Sequence, residues 1–226
     1  SLVPVLDEAL EGQTNALVGG MEYWELRSSM PRIIGGIRNA SDNIKSIVQE
    51  LREFSAPALG DLDEDVNLSM VAFSAANLLG GVIRQATDRF RLDTKADLPP
   101  VRAGFVRLEQ VVINLIMNAC QSLDSRNKAV VVSTGVRDDG CTVFLEVQDE
   151  GCGMDAAVLA HVKDPFFTKK RGNGGLGLGV SLSNSIVEAY GGRLLFASSP
   201  GMGTRATIEL PGAGKIIPKA ESGHRA

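Results

Sequence analysis

Two runs rich in β-branched residues, AVVVSTGV (129–136) and CTVFLEVQ (141–148), flank Asp138-Asp139-Gly140, a hairpin turn signal. A hairpin of this length has to bury one face, and the segment before it supplies the cover. From Phe105 to Leu123, the residues Leu108, Val111, Val112, Leu115, Ile116 and Ala119 recur at helical spacing on one side. A helix laid on a hairpin restricts the chain to layered architectures of helices and strands.

The neighbouring text extends that layer. Residues 67–86 have a helical pattern, RFRLDT (89–94) is strand-like, and a helix is expected at about 179–190, closed by Gly191-Gly192. RLLFAS (193–198) and TRATIEL (204–210) add two strands. The fold class expected is α+β, a two-layer α/β sandwich with a mixed sheet and helices on one face. With 226 residues, 44% hydrophobic and 22% charged, the chain is long and apolar enough to build such a core without staples.

Ahead of the sandwich the pattern changes. Ile33, Ile37, Ala40, Ile44, Ile47, Leu51 and Phe54 alternate steps of four and three, a seam for another helix. This predicts a helix over about 21–55, stopped by Ser55-Ala56-Pro57. The stretch 1–12 is expected as the last turns of an earlier helix and Gln13–Gly20 as a connecting loop. The organisation expected is therefore a partial helical hairpin at 1–57, a linker at 58–66, the sandwich at 67–212 and a disordered tail at 213–226.

Several functions are disfavoured at once. Twenty-three Lys plus Arg against 27 Asp plus Glu give a charge of −4, so no overall basic field draws in nucleic acid or anionic lipid. Three cysteines without a CxxC pair, and only two histidines, suggest neither a zinc site nor a disulfide framework; a reducing, cytoplasmic location is expected. No apolar run approaches the roughly 18 residues of a membrane span. No membrane contact is expected of this stretch, although the parent protein could be membrane-anchored.

Three polar features interrupt the apolar pattern. Gln110, Asn114 and Asn118 recur every four residues on the 105–123 helix, a stripe of amides. Asn is a mediocre helix former and costly to bury unpaired, so the stripe suits a hydrated Mg²⁺ with phosphates; it equally fits an exposed polar face. Asp149-Glu-Gly151-Cys-Gly153 follows directly on a strand. Its carboxylate can accept a hydrogen bond from an exocyclic amine while the glycines admit a flat ligand, or the segment is a plain tight turn. Gly172-Asn-Gly-Gly175-Leu176-Gly177-Leu178-Gly179 precedes a helix, with Lys169, Lys170 and Arg171 upstream. That is either an anion site or a surface loop.

In this order, with Asp164-Pro-Phe-Phe-Thr168 between the second and third, the text from about Val66 to Pro211 resembles the ATP-binding domain of sensor histidine kinases, within the superfamily that also holds gyrase, Hsp90 and MutL. The resemblance implies ATP and Mg²⁺ as ligands. Asn114 and Asn118 then form the N box, with Asn118 the metal ligand and Asn114 in the phosphate network. Asp149 matches the acid that receives the adenine amino group, with Gly151 and Gly153 shaping that pocket. Phe166 and Phe167 anchor the lid, and Phe167, Thr168 and Lys169 lie beside the nucleotide. Gly175, Leu176, Gly177 and Leu178 fall in the loop that wraps the triphosphate, and Thr204 lies beside the base.

Departures from that pattern matter too. A common GTGLGL loop reads Asn173-Gly174-Gly175-Leu-Gly177-Leu here, losing its first glycine and its threonine. The family's ATPases carry a Glu base where Asn114 stands, and an amide cannot take a proton from water, so hydrolysis should be weak. The helix at 21–55 resembles the second helix of the kinase hairpin and implies a homodimer, with a response regulator receiver domain as phosphoryl acceptor downstream. No acceptor histidine in the family's context is present: His161 lies between the second and third motifs and His224 near the end. Two rivals stand beside the kinase, a degenerate nucleotide-binding interaction module and an ATPase of the gyrase or Hsp90 type.

Overall fold

The computed structural model describes residues 17–18, 21–22, 25, 27–38, 41, 64–168 and 177–213. The chain divides into two compact units, Ser1–Glu50 and Leu51–Ala226.

In the first unit, β1 (Leu17–Val18) pairs antiparallel with β2 (Met21–Glu22), and residues 27–38 form helix α1. The helix expected from about 21 therefore begins later, and the loop expected at 13–20 already contains a strand. Gly19-Gly20, which suits a two-residue hairpin turn, explains the pairing. Ile33, Ile34 and Ile37 on α1 are all exposed, which leaves its apolar stripe open. Apart from helical Ser41, the rest of the expected helix to 55 lies outside the described residues, as do 1–12 and the tail from 214.

The second unit opens with β3 (Glu64–Val66), assigned above to the linker, which pairs antiparallel with β5 (Val101–Ala103). Both strands span three residues, too short to show a period in sequence. Residues 67–86 form two helices, α2 (Leu68–Leu78) and α3 (Gly80–Ala86), instead of one. Asn67 caps α2 through Ser69 N–H, 2.8 Å away, and the break falls at Leu79 before Gly80-Gly81, a pair of poor helix formers. Next come β4 (Arg89–Asp93), α4 (Phe105–Ser122), β6 (Ala129–Val136) and β7 (Thr142–Asp149). The chain closes with α5 (Ala156–His161), α6 (Gly179–Ala189), β8 (Arg193–Ser198) and β9 (Thr204–Pro211). The short helix α5, capped by Asp155 onto Val158 N–H, is not evident in the sequence pattern.

Five strands form one mixed sheet in the order β4-β6-β7-β9-β8, with β4 parallel to β6 and the other pairs antiparallel. The β6–β7 hairpin turns as expected: Asp139 accepts from the N–H groups of Cys141 and Thr142 and from the Thr142 hydroxyl, which holds its carboxyl below the usual carboxylate range. The core lies between the sheet and helices α2, α4 and α6. The apolar face of α4 expected from sequence is the buried face: Leu108, Val111, Val112, Leu115, Ile116 and Ala119. Each large aliphatic side chain buried there contributes about 1.5–3 kcal/mol.

Leu145 sits mid-sheet on the core side, opposite Thr134 on one side and Ile208 on the other, with no exposed surface. Leu145→Ala is expected to cost about 2–5 kcal/mol in urea unfolding, whereas Leu195→Ala, on the sheet's outer face and 41% exposed, should cost under about 1 kcal/mol.

Candidate active site

The site is built where the C-terminal ends of α4 and β7 meet. Asp149, the last residue of β7, is 5% exposed and lies opposite Thr204 of β9. Its Oδ1 accepts from Gly151 N–H at 2.8 Å and from Thr204 N–H at 3.3 Å. The Ser122 hydroxyl, on the last turn of α4, lies 2.9 Å from the same oxygen and 2.8 Å from the Ala119 carbonyl. Among the described residues no group donates to Oδ2. Burial pushes the Asp149 carboxyl above the usual carboxylate range; the donors from Gly151, Ser122 and Thr204 and the charge of Lys128 pull the other way without cancelling it.

Close approach of backbone explains the glycines around this acid. A Cβ on Gly151 would sit 1.9 Å from Ser122 Oγ, and one on Gly203, where φ is +76°, would sit 1.9 Å from the Asp149 carbonyl oxygen. Cys152 donates its N–H to the Ser122 carbonyl and accepts from Gly201 N–H at 2.7 Å, so the 151–153 loop is tied on both sides. Ser198 Oγ receives Met154 N–H at 2.9 Å and lies 2.8 Å from the Gly203 carbonyl and 3.0 Å from Thr204 Oγ1. Thr204 is thereby fixed beside Asp149 by both main chain and side chain.

One and two turns back along α4 are Asn118 and Asn114, both half-buried. Asn114 donates through Nδ2 to Ser183 Oγ of α6 at 3.0 Å, and Asn118 Nδ2 reaches Asn114 Oδ1 at 3.4 Å. The Asn118 oxygen receives no donor among the described residues. A Cβ on Gly179, the first residue of α6, would lie 2.5 Å from Asn114 Oδ1, so a glycine here lets the two helices close on the amide. Leu178, the N-cap of α6, makes no side-chain cap, which leaves the first N–H groups of an 11-residue helix for another acceptor.

The segment before α6 returns to it. Phe166, at φ +64°, donates its N–H to the Gly177 carbonyl at 3.1 Å, and Gly177 itself has φ +72° with its Cα against the Phe167 carbonyl. Phe166 is exposed and holds the segment through its backbone, whereas half-buried Phe167 tilts against the His161 ring, 5.8 Å between centroids. His161 Nδ1 lies 2.7 Å from Asp164 Oδ2. Thr168 is half-buried. Leu178 is fully buried, so only its main chain can face a ligand. Lys169, Gly175 and Leu176 lie outside the described residues.

The structure gathers Asn114, Asn118, Asp149, Gly151, Gly153, Gly177 and Thr204 around the ends of α4, β7 and β9 and the start of α6. It adds Ser122, Ser183, Ser198, Gly179 and Gly203. Ser122 was detectable, since it continues the four-residue stripe of Gln110, Asn114 and Asn118 by one more step. Ser183 and Ser198 carry no signal in sequence, because each acts through a partner distant along the chain.

Gly201 and Gly203 give a matched test of the tight turn. Gly201 has φ +74° with nothing near its Cα, so Gly201→Ala pays only the backbone term of about 1–2 kcal/mol. Gly203→Ala adds the collision with Asp149 and should lower thermal stability by several times as much.

Residues 104–214 match the family described as histidine kinase-, DNA gyrase B-, and HSP90-like ATPase. The chain is 33% identical over 170 residues to the signal transduction histidine-protein kinase AtoS of Escherichia coli (strain K12), an overlap covering 75% of this chain and 27% of that protein. It is 34% identical over 170 residues to the sensor protein FixL of Bradyrhizobium diazoefficiens, covering 74% and 32%. The solved catalytic domain of histidine kinase ThkA superposes with a TM-score of 0.58 at 25% identity, covering 66% of this chain and 97% of that one. The chain spans about a third or less of the length of these two curated relatives. Fold, matched residues and relatives agree: the chain belongs to the histidine kinase-, DNA gyrase B-, and HSP90-like ATPase family and carries the catalytic domain of a sensor histidine kinase.

Proposed function

We propose that this domain binds Mg²⁺·ATP with its adenine against Asp149 and its phosphates along Asn118, Asn114 and the start of α6. One observation carries the reading: the Asp149 carboxylate is buried, with one oxygen held by three donors and the other given none. The second oxygen is not sealed from solvent, so it is free to accept a hydrogen bond from the exocyclic amino group of a ligand. Gly151 and Thr204 hold the Asp149 Oδ1 through their N–H groups, and Gly153 lies against the Ser199 and Gly203 carbonyls, where a side chain would collide.

The chemistry of the remaining groups fits phosphates and a hard cation. The Asn118 side-chain oxygen is a neutral donor atom of the kind Mg²⁺ takes, and Asn114 holds Asn118 in place while being held by Ser183. The α6 N-terminus offers main-chain N–H groups and its positive dipole end to an anion. Thr168, Lys169, Gly175, Leu176, Gly177 and the Leu178 main chain complete the phosphate side by family resemblance. When bound, the metal supplies charge neutralisation across the phosphate oxygens.

The domain's own contribution is positioning, since phosphoryl transfer depends mainly on alignment and charge placement. The γ-phosphate passes to a histidine on the dimer hairpin and then to an aspartate of a response regulator receiver domain, in the cytoplasm. The open stripe of Ile33, Ile34 and Ile37 supports pairing of two chains through the N-terminal helices, with 1–57 as the hairpin portion and 67–212 as the catalytic one. The acceptor is taken to be a histidine in the family's hairpin context, which neither His161, set against Asp164 and Phe167, nor His224 has. An ATPase reading is disfavoured by Asn114, whose amide is hydrogen-bonded on both sides and cannot act as a base.

Asp149→Asn keeps an oxygen for the three donors and replaces the free acceptor by an NH₂ group. A fluorescent ATP analogue should no longer bind, while the melting temperature at pH 7 stays level or rises. The sign follows from the raised pKa: burial favours the neutral acid, so the carboxylate burdens the fold above that pKa and ceases to do so on acidification. For the same reason, nucleotide affinity of the parent chain should fall at milder acidity than an exposed aspartate would give. Retained binding by the variant would refute the assignment.

Incubation of this chain alone with γ-labelled ATP should leave it unlabelled. Adding a separately made hairpin that contains the upstream histidine should give ATP-dependent label on the hairpin. A stable phosphoramidate mapped to His161 would show the acceptor assignment to be wrong.

A further inference from the structure

We propose that Ser122 is a positioning residue for Asp149: its hydroxyl turns between two acceptors with the charge on that acid, and so holds the acid in the ionised form that takes a ligand's amino group. This rests on the reading of Asp149 as the adenine acceptor and concerns how that acceptor stays charged. Ser122 stands half-buried at the end of α4. Its Oγ lies 2.9 Å from Asp149 Oδ1 and 2.8 Å from the Ala119 carbonyl oxygen, both within hydrogen-bond distance. A serine hydroxyl carries a single hydrogen, so it serves one of these oxygens at a time.

The charge on Asp149 decides which. Gly151 N–H at 2.8 Å and Thr204 N–H at 3.3 Å are main-chain donors, set by the turn and by the β7–β9 pairing, and they face Oδ1 in either state. Ser122 differs because its hydrogen can swing. With Asp149 ionised it goes to Oδ1, since a bond to a charged acceptor is the stronger one. With Asp149 protonated that advantage is gone, and the hydrogen turns back to the carbonyl three residues earlier in its own helix. Ser122 therefore favours the charged acid, against the burial that pushes this carboxyl above the usual range. The charged neighbours leave much of that task to it. Lys128, just ahead of β6, is the cation whose field reaches Asp149, and it is paired with Asp124 at 3.0 Å. Cys120 of α4 is buried, its thiol pushed up by burial and by the charge of Asp149, so it stays neutral. From β9 comes Thr204, which is uncharged, and Glu150 of the following loop turns to Arg89 and Ala129 N–H.

Losing a donor to the carboxylate raises the pH at which Asp149 takes up its proton, and the protonated acid is a poorer acceptor for an amino group. Two readouts on the whole 226-residue chain test this over one pH series: the Asp149 carboxyl carbon by ¹³C NMR without nucleotide, and the affinity for a fluorescent ATP analogue. Ser122→Ala should move both midpoints up by about one pH unit. On the acid side its affinity should then fall about tenfold below the parent, whereas near pH 8, with the acid ionised in both, the two should agree within about threefold. Ser122→Thr keeps the hydroxyl and should restore both midpoints. A carbon titration that stays in place in Ser122→Ala, or moves as far in Ser122→Thr, would overturn the proposal whatever the nucleotide does. So would an affinity lowered by one factor at every pH, the mark of a merely structural role. A carbon titration that moves beside an affinity profile that does not would uphold the hold of Ser122 on the acid and refute the placing of adenine against Asp149.

Discussion

The contact between Ser122 and Asp149 joins the two layers of the sandwich at the place where the site is made. Ser122 ends α4 and Asp149 ends β7, so one hydrogen bond sets the helix against the sheet edge-on and fixes the carboxylate at once. Everything nearby is arranged around that closeness. Gly151 has no room for a Cβ, Cys152 bonds back to the Ser122 carbonyl, and Gly203 passes beside the Asp149 carbonyl. Moving the helix end by the width of a methyl group would break the set together. The acid is also the feature the fold would gain by losing, since burial opposes its charge. An ionised group kept against its environment, with one oxygen left unpaired, is the pattern of a site held ready for a ligand in preference to a fold optimised for stability.

Helix α4 serves the core and the site with opposite faces. Leu108, Val111, Val112, Leu115 and Ile116 fasten it to the sheet, while Asn114, Asn118 and Ser122 follow one another at four-residue steps on another side. Because the helix is rigid, the apolar face determines the spacing between the Asn118 amide and the Asp149 carboxylate that Ser122 holds. Helix α6 is registered to the same ruler through Ser183 and Gly179, both against Asn114. The amide at 114 thus acts as a spacer between helices as well as a member of the polar stripe, which accounts for an Asn that sequence alone left divided between an exposed face and a ligand set.

Long, strongly periodic elements were legible in the sequence: α4, the β6–β7 hairpin, α6, β8 and β9 lie within a residue or two of where pattern places them. Several of the shorter elements were not. The β3–β5 pair and α5 are too short to display a period, and the break between α2 and α3 depends on Gly80-Gly81 inside a run that otherwise looks continuous. The N-terminal helix was expected from about 21, well before its seam begins at Ile33, whereas Met21 pairs with Val18. At the site, Asp149, Asn114 and Asn118 stand out in the sequence because their chemistry is visible in their own side chains. Those that work by touching a distant segment, Ser183 through Asn114 and Ser198 through Thr204, left no local trace.

The two edges of the sheet show how a single fold can separate tasks. At one end, α6 seals β8 into the core, and the N-terminus of the same helix, without a side-chain cap, lies beside Asn114, so the sealed edge and that side of the site are one mechanical unit. At the other end, α3 spans only seven residues and its glycine pair carries no side chains to cover Phe90 and Leu92. The gap lies on the far side of β6 from β7, whose end carries Asp149, so the cover of that edge and the geometry of the acid are set by different elements of one sheet.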